Sequence, residues 1–379
     1  MITAIGDNIF CSIGFGTKQV FMAICKSLRG TAGYADRFPQ CEPVCAALID
    51  RDRLHQMAAE QLREADRYTD LEQALLLSVQ DAVQQAGIDP ARPDTAFVLS
   101  TTKGNIDLLE HPDPRFEPER IHLWRTAQLV AGYFGNPNRP VVVSNACISG
   151  ASAQMAAQRM LESGRYKTVI VTGGDLLSRF IVSGFQSFKA LSPRPCRPFD
   201  ATRQGLNLGE AAGTVIYRKE PNPALRSVSL WAGANCNDAN HISGPSRTGE
   251  GSFQCLARLL RHTAADRIAF VNAHGTATAY NDEMEAIALH RAGLQDVPVF
   301  SLKHQFGHTL GAAGIIESIV SMQALRNGTI LPSLGYETCG VSRPLQIPRQ
   351  MEHTSKNLCI KMLSGFGGSN AALLFRLNS

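Results

Sequence analysis

Four short segments hold residues whose types and spacing suit chemistry at sulfur, with imidazole controlling the protons. The first, Val141-Val-Val-Ser-Asn-Ala-Cys147-Ile-Ser-Gly150, runs from an apolar strand through small residues into a helix. A thiol at a helix start meets unpaired N–H groups and the positive end of the macrodipole, and both favour the reactive thiolate. The alternative is an inert cysteine buried in the core. The second segment, Asn272-Ala-His274-Gly-Thr276-Ala-Thr278, ends an apolar strand on a histidine followed by two hydroxyls. Those threonines either bind a polar ligand or cap the helix beginning near Asp282. The third, Ser301-Leu-Lys303-His304-Gln-Phe-Gly307-His308, places a lysine and two histidines in a glycine-rich context. A metal would need His304 and His308 on one helix plus a third ligand; Gly307 and the preceding strand argue for a loop, and no third ligand is apparent. The fourth, Leu363-Ser-Gly365-Phe366-Gly-Gly368-Ser-Asn370, is either a hairpin loop or a backbone approaching something closely.

The elements that must carry these segments alternate along the chain. Helices are expected over 17–29 and 56–87, the second ended by Gly87, and a strand over Thr95–Ser100. Segment 104–138 is rich in Pro, Asp, His and Arg, with a helix near 119–134. A buried strand over 139–146, the Cys147 turn, a helix to Ser163 and a strand over Thr168–Gly174 form one βαβ unit. Segment 175–209 is loop-rich, and Ala211–Arg218 returns as a strand. The second half repeats the plan, with strands over 267–272, 297–302, 357–362 and 371–376 and helices over 282–292 and 312–327. Cys147 precedes Gly150-Ala151 by three residues, and His308 precedes Gly311-Ala312 by three. Duplication would place those two turns symmetrically about one pocket. The alternation implies a layered α/β fold with mainly parallel sheets in two pseudo-duplicated halves, 1–218 and 219–379.

The chain has 379 residues, enough for two halves sharing a core, with 44% hydrophobic and 18% charged residues. A dispersed net charge of +4 argues against nucleic acid and suits either an acidic protein partner or ordinary solvated surface. The start of the chain shows no secretory signal pattern, and no apolar run is long enough for a membrane span. Ten cysteines are scattered without a Cys-x-x-Cys pair, which fits a reducing cytoplasm and gives no expectation of zinc at Cys41 and Cys45.

Taken together and in order, the four segments resemble those of the elongating β-ketoacyl-[acyl-carrier-protein] synthases of the thiolase superfamily. The resemblance implies a thiolase-like layered αβαβα fold. It implies Cys147 as nucleophile, His274 and His308 as the catalytic histidines, and Lys303 and Glu317 as supports of the site. Thr276 and Thr278 match the pair that holds the pantetheine arm. Phe366 matches the gating phenylalanine, whose N–H would share an oxyanion with that of Cys147, and Phe185 falls where the acyl pocket is lined. Arg197-Pro-Phe-Asp200 and Gly209-Glu210 match a further family stretch.

The implied activity is decarboxylative Claisen condensation of an acyl thioester with a malonyl thioester through an acyl-enzyme, serving fatty acid, polyene or polyketide elongation. No metal or redox cofactor is implied, because pantetheine arrives on an acyl carrier protein. The second protomer would be a second copy or a chain-length-factor-like paralogue. A non-catalytic, chain-length-setting subunit is the alternative, although such subunits usually lose the cysteine. The chain departs from the family in its shorter N-terminal half. Thr101-Thr-Lys-Gly-Asn-Ile106 also replaces a more glycine-rich stretch beside the pocket. Both departures admit a specialised polyene or pigment pathway.

Overall fold

Two sets of five strands repeat one order. The computed structural model describes residues 1–221, 223–240, 244 and 246–378. The first set comprises β1 (Ile2–Cys11), β2 (Thr95–Ser100), β3 (Val141–Val143), β4 (Thr168–Asp175) and β5 (Ala211–Lys219), arranged β3-β2-β4-β5-β1. The second comprises β6 (Val228–Asn237), β7 (Ile268–Asn272), β8 (Val299–Phe300), β9 (Leu358–Gly365) and β10 (Ser369–Leu377), arranged β8-β7-β9-β10-β6. In each set the three flanking strands are parallel and the remaining ladders antiparallel. The sets join where Ile2–Ala4 of β1 pairs antiparallel with Val228–Leu230 of β6. The expected parallel pairing therefore occupies the two flanks. The middle is antiparallel because β9 and β10 are joined by Phe366–Gly368 alone, too short for a crossover.

Helices fill three layers: α1 (Asp70–Ala86), α2 (Leu123–Tyr133), α3 (Ser149–Glu162), α4 (Arg179–Ser187), α5 (Glu250–Leu259), α6 (Ala279–Arg291) and α7 (Ala313–Arg326). Side-chain alternation along the strands divides the core. Val169 and Val171 of β4 face the central layer with Ala151 of α3 and Ile315 of α7, whereas Ile170 faces α1. On β10, Leu373 and Phe375 face the centre while Leu374 packs with Leu256 of α5 and Leu289 of α6. The result is the αβαβα layering. Helix α7 is apolar and buried on nearly every side, as a central helix must be.

The two central helices touch backbone to backbone at their first turns. A Cβ on Gly150 would lie 2.9 Å from the Ile315 nitrogen, and one on Gly314 only 2.4 Å from the Ala151 nitrogen. Glycine is required there because any side chain would push the helices apart, and with them the turns carrying Cys147 and His308.

Several expectations are corrected. The helix expected over 56–87 is two helices, Arg51–Gln61 and α1, because Thr69 and Glu72 form a reciprocal capping box that starts a new helix. The strand over 139–146 shortens to Val141–Val143 and lies at the sheet edge with Val141 exposed. Its apolar run marks a one-sided edge rather than a buried strand. Segment 175–209 contains α4, whose N-terminus is capped by Ser178. Strands β1 and β6, which join the halves, and helix α5 carry too mixed a pattern to stand out in the sequence.

Gly314→Ala is expected to lower unfolding stability by about 3 kcal/mol, as overpacking against fixed backbone does. Gly132→Ala in α2, where a Cβ meets nothing within 4 Å, should be neutral or gain up to about 1 kcal/mol. Urea melts of both variants measure this.

Candidate active site

The Cys147 turn is strained and pinned. Ala146 adopts φ +44°, a left-handed backbone that alanine rarely takes. Ser149 locks it by accepting from the Asn145 N–H at 2.8 Å and donating to the Ala146 carbonyl at 2.6 Å. The turn delivers Cys147 to the start of α3, two residues before Ser149. From the other side, the end of β9 approaches so closely that a Cβ on Gly365 would lie 3.2 Å from the Cys147 nitrogen. The N–H of the next residue, Phe366, points at the Cys147 sulfur.

His274 follows β7. Its backbone N–H and that of Gly275 both donate to the Glu285 carboxylate of α6 at 2.7 Å. His308 follows a short helical turn, Lys303–Phe306, and its N–H donates to the Asn207 carbonyl at 2.7 Å. Asp175, at the end of β4, braces the adjacent turn by accepting from the Gly311 N–H at 2.7 Å and from Thr101 Oγ1 at 2.7 Å. This holds the departing 101–106 loop against the His308 turn.

The structure thus brings together three residues separated by up to 161 positions (308 − 147). The Cys147 sulfur and one ring nitrogen each of His274 and His308 lie within 4.8 Å of one another. The two imidazoles meet edge to face, with centroids 5.0 Å apart at 85°. Nδ1 of His274 and both ring nitrogens of His308 are buried without a hydrogen-bond partner among the described residues. All three side chains open onto one cavity of about 520 Å³. Thr276, Thr278, Phe185 and Phe366 line it too, and so does Phe188, which the sequence reading missed. Thr276 and Thr278 share a hydrogen bond of 2.9 Å between their hydroxyls. The Phe366 ring rests against Phe188 and Phe185 at 5.2 and 5.7 Å. His304 is not part of this group: its Nδ1 contacts the Cys196 carbonyl at 2.8 Å.

Behind the cavity wall lie Lys303 and Glu317, both fully buried and ion-paired. A third member, Lys361 of β9, stands 2.5 Å from the other carboxylate oxygen of Glu317 and is equally buried. Its signal was a lysine amid the apolar run of a core strand, Leu358–Leu363. Glu285, also unforeseen, sits on the inward face of α6.

Charge follows from this packing. Burial pushes both imidazoles well below the usual range; Lys303 adds to it, then His308 and Lys361 for His274, and Lys361 for His308. Burial raises the Cys147 thiol to about 11, against the pull of Lys303 and the Phe366 N–H. The helix terminus acts in the same direction as those two, but burial outweighs the thiolate preference expected from the sequence. Burial would raise Glu317, yet the ammoniums of Lys303 and Lys361 prevail and hold it below the ordinary carboxylate value. The site at rest is therefore a thiol beside two neutral imidazoles, over an ionised carboxylate.

Two carboxylates of the further matched stretch brace the surroundings. Asp200 accepts from the N–H groups of Glu337 and Thr338 at 2.7 and 2.8 Å. Glu210 accepts from the Ile49 and Leu177 N–H groups and two bonds from Arg51.

Comparison with known proteins gives this constellation a family. Residues 48–221 match the family "Beta-ketoacyl synthase, N-terminal domain", and residues 227–337 match "Beta-ketoacyl synthase, C-terminal domain". A 3-oxoacyl-[acyl-carrier-protein] synthase 2 of Rhizobium meliloti is 33% identical over 283 residues, covering 69% of this chain and 66% of the relative. A putative polyketide beta-ketoacyl synthase 1 of Streptomyces halstedii is 30% identical over 357 residues, 84% of each chain. Among solved structures, the ketosynthase ApeO in complex with its chain length factor ApeC, from Xenorhabdus doucetiae, shares the fold. Its TM-score is 0.88 at 24% identity, covering 100% of this chain and 98% of that one. No described helix is long and apolar enough to cross a membrane. The chain belongs to the beta-ketoacyl synthase family of thiolase-fold condensing acyltransferases.

Proposed function

We propose that Cys147 carries the growing acyl group and that His274 and His308 drive decarboxylation of the malonyl thioester that extends it. The observation that carries this reading is one sulfur and two buried imidazoles within 4.8 Å of one another on the lining of a single cavity. The resting thiol needs a base, and the free lone pair of a neutral imidazole supplies one. As sulfur bonds to the acyl carbon, its proton passes to imidazole and the carrier thiol leaves with a proton. The oxyanion formed in between meets the N–H groups of Phe366 and Cys147. The malonyl thioester then binds with its pantetheine arm along Thr276 and Thr278. The imidazole N–H groups donate to its carbonyl oxygen, so the charge released with CO2 rests on an enolate oxygen. The enolate carbon bonds to the acyl carbon as the acyl carbon–sulfur bond breaks, giving a 3-oxoacyl thioester and freeing Cys147 as thiolate, which takes a proton from solvent to restore the thiol. Lys303 and Glu317 act electrostatically from behind the wall.

The chain's own residues require no metal or redox group for these steps; pantetheine comes with an acyl carrier protein. Lys189, an exposed cation on the cavity lining, would suit the approach of an acidic carrier. The exposed edge strand β3 suits a second thiolase-fold chain, a copy or a chain-length-factor-like paralogue; the ApeO neighbour is described with such a partner. Repeated strand order supports a duplication with halves at 1–218 and 219–379. Ten free thiols fit a reducing cytoplasm. A purely non-catalytic subunit would leave the assembled Cys147, His274 and His308 without a task.

Incubation with an acyl-carrier thioester should give an acyl adduct on Cys147 by intact-protein and peptide mass spectrometry, absent in Cys147→Ala. No adduct, under conditions that label a related synthase, would sink the proposal. His308→Ala should keep the adduct yet lose about 100- to 1,000-fold in 3-oxoacyl product formation. Because the thiol is raised, iodoacetamide alkylation of Cys147 should climb about tenfold per pH unit between about pH 7 and 9. A plateau beginning below about pH 8 would contradict that.

A further inference from the structure

The second ammonium on Glu317 has no part in the roles above. Lys361 points inward from β9, and its Nζ faces Glu317 Oε2 at 2.5 Å. That contact is a buried ion pair. The ammonium also donates to the Ala273 carbonyl at 2.9 Å, the Asn272 carbonyl at 3.3 Å and Asn272 Oδ1 at 3.3 Å. Asn272 is the last residue of β7, and Ala273 is the residue before His274. Lys361 therefore ties down the chain that delivers the first imidazole, while Glu285 ties down the N–H groups on its other side.

A Lys303–Glu317 pair alone would be neutral, though Glu317 Oε2 would then lose its partner. A second buried ammonium costs several kcal/mol of desolvation, and a methionine of similar length would fill the space without that cost. What methionine would not supply is positive charge beneath the imidazoles and three bonds to the strand end. We propose that Lys361 is a positioning residue for the decarboxylation step: it fixes the backbone before His274 and sets a positive charge behind that ring, so that its N–H faces the enolate oxygen. This rests on the assignment of His274 given above. The groups facing His274 are Lys303, Lys361, His308 and Cys147, with Glu285 on its backbone side. Those facing Lys361 are Glu317, Lys303 and Glu285.

The sign of the pH effect follows. A cation nearby disfavours imidazolium, so its removal lets His274 take a proton at higher pH, and the reaction fails earlier as pH falls. The test uses the full-length protein with malonyl-N-acetylcysteamine, following CO2 release from about pH 5 to 9, beside acylation of Cys147 and a thermal melt. Lys361→Met should lose about 100-fold in decarboxylation, and its acid limb should rise by about one pH unit. Acyl transfer to Cys147 should stay within about threefold of the parent. Lys361→Gln, which keeps one donor for the Ala273 carbonyl, should show the same limb shift with a smaller loss, and Lys361→Arg should return the limb to the parent's position. An unmoved acid limb in the neutral variants would overturn the proposal, and so would equal losses in both half-reactions. Should neither neutral variant fold, the parent's alkaline limb decides: burial pushes the Lys361 ammonium down to about 8, so decarboxylation that falls above about pH 8 while acyl transfer to Cys147 holds supports the proposal, and decarboxylation unchanged up to about pH 9 contradicts it. Failure of the parent to acylate Cys147 would instead remove the underlying assignment.

Discussion

A carboxylate buried between two ammoniums, behind two imidazoles, is the arrangement on which the proposed chemistry depends. Glu317 without partners would be too costly to ionise in this core. With Lys303 on one oxygen and Lys361 on the other, it is ionised and the cluster carries an excess of positive charge. That charge and the burial around it act in the same direction on His274 and His308, and both disfavour imidazolium. A neutral imidazole has one lone pair and one N–H. The same pair of rings can therefore accept a proton from sulfur and donate to an enolate oxygen, tasks that a permanently charged group would not combine.

Geometry comes from repetition. The same strand order occurs twice, and in each half a helix enters the central layer from a tight turn. Gly150 and Gly314 let those helices meet without side chains between them, so the Cys147 turn of one half faces the His308 turn of the other. Asp175 then bridges from β4 to Gly311, tying the first half to the second beside the reacting groups. Such contacts leave little room for drift, which suits chemistry needing sulfur and imidazole a few ångströms apart.

Much of this was legible in the sequence because the residues proposed to react stand at glycine-containing turns that follow apolar segments, where periodicity and turn chemistry are clearest. Strands β2, β4, β7 and β9 and the central helices were read nearly to their ends, whereas the outermost strands, expected over 139–146 and 297–302, shorten to Val141–Val143 and Val299–Phe300. Strands β1 and β6 escaped because each mixes polar and apolar residues on both faces where the halves join. The break before α1 escaped although Thr69 and Glu72 spelled a capping box, since the apolar spacing continued across it. Lys361 belongs to the site through its ion pair with Glu317, 44 positions away (361 − 317), and Glu285 through its bonds to the N–H groups of His274 and Gly275. Neither lies in a recognisable segment; only a charged residue inside an apolar strand hinted at the first.

The central claim is the protonation state of two buried rings, and heteronuclear NMR of ring-labelled histidines reads it directly. At about pH 6.5, where an exposed imidazole is half protonated, the ring signals of His274 and His308, assigned with single His→Asn variants, should show neutral imidazole, and should still do so about one pH unit lower. Imidazolium shifts for either ring at about pH 6.5 would contradict the account, because the enolate would then face a charged donor and the thiol would have no base.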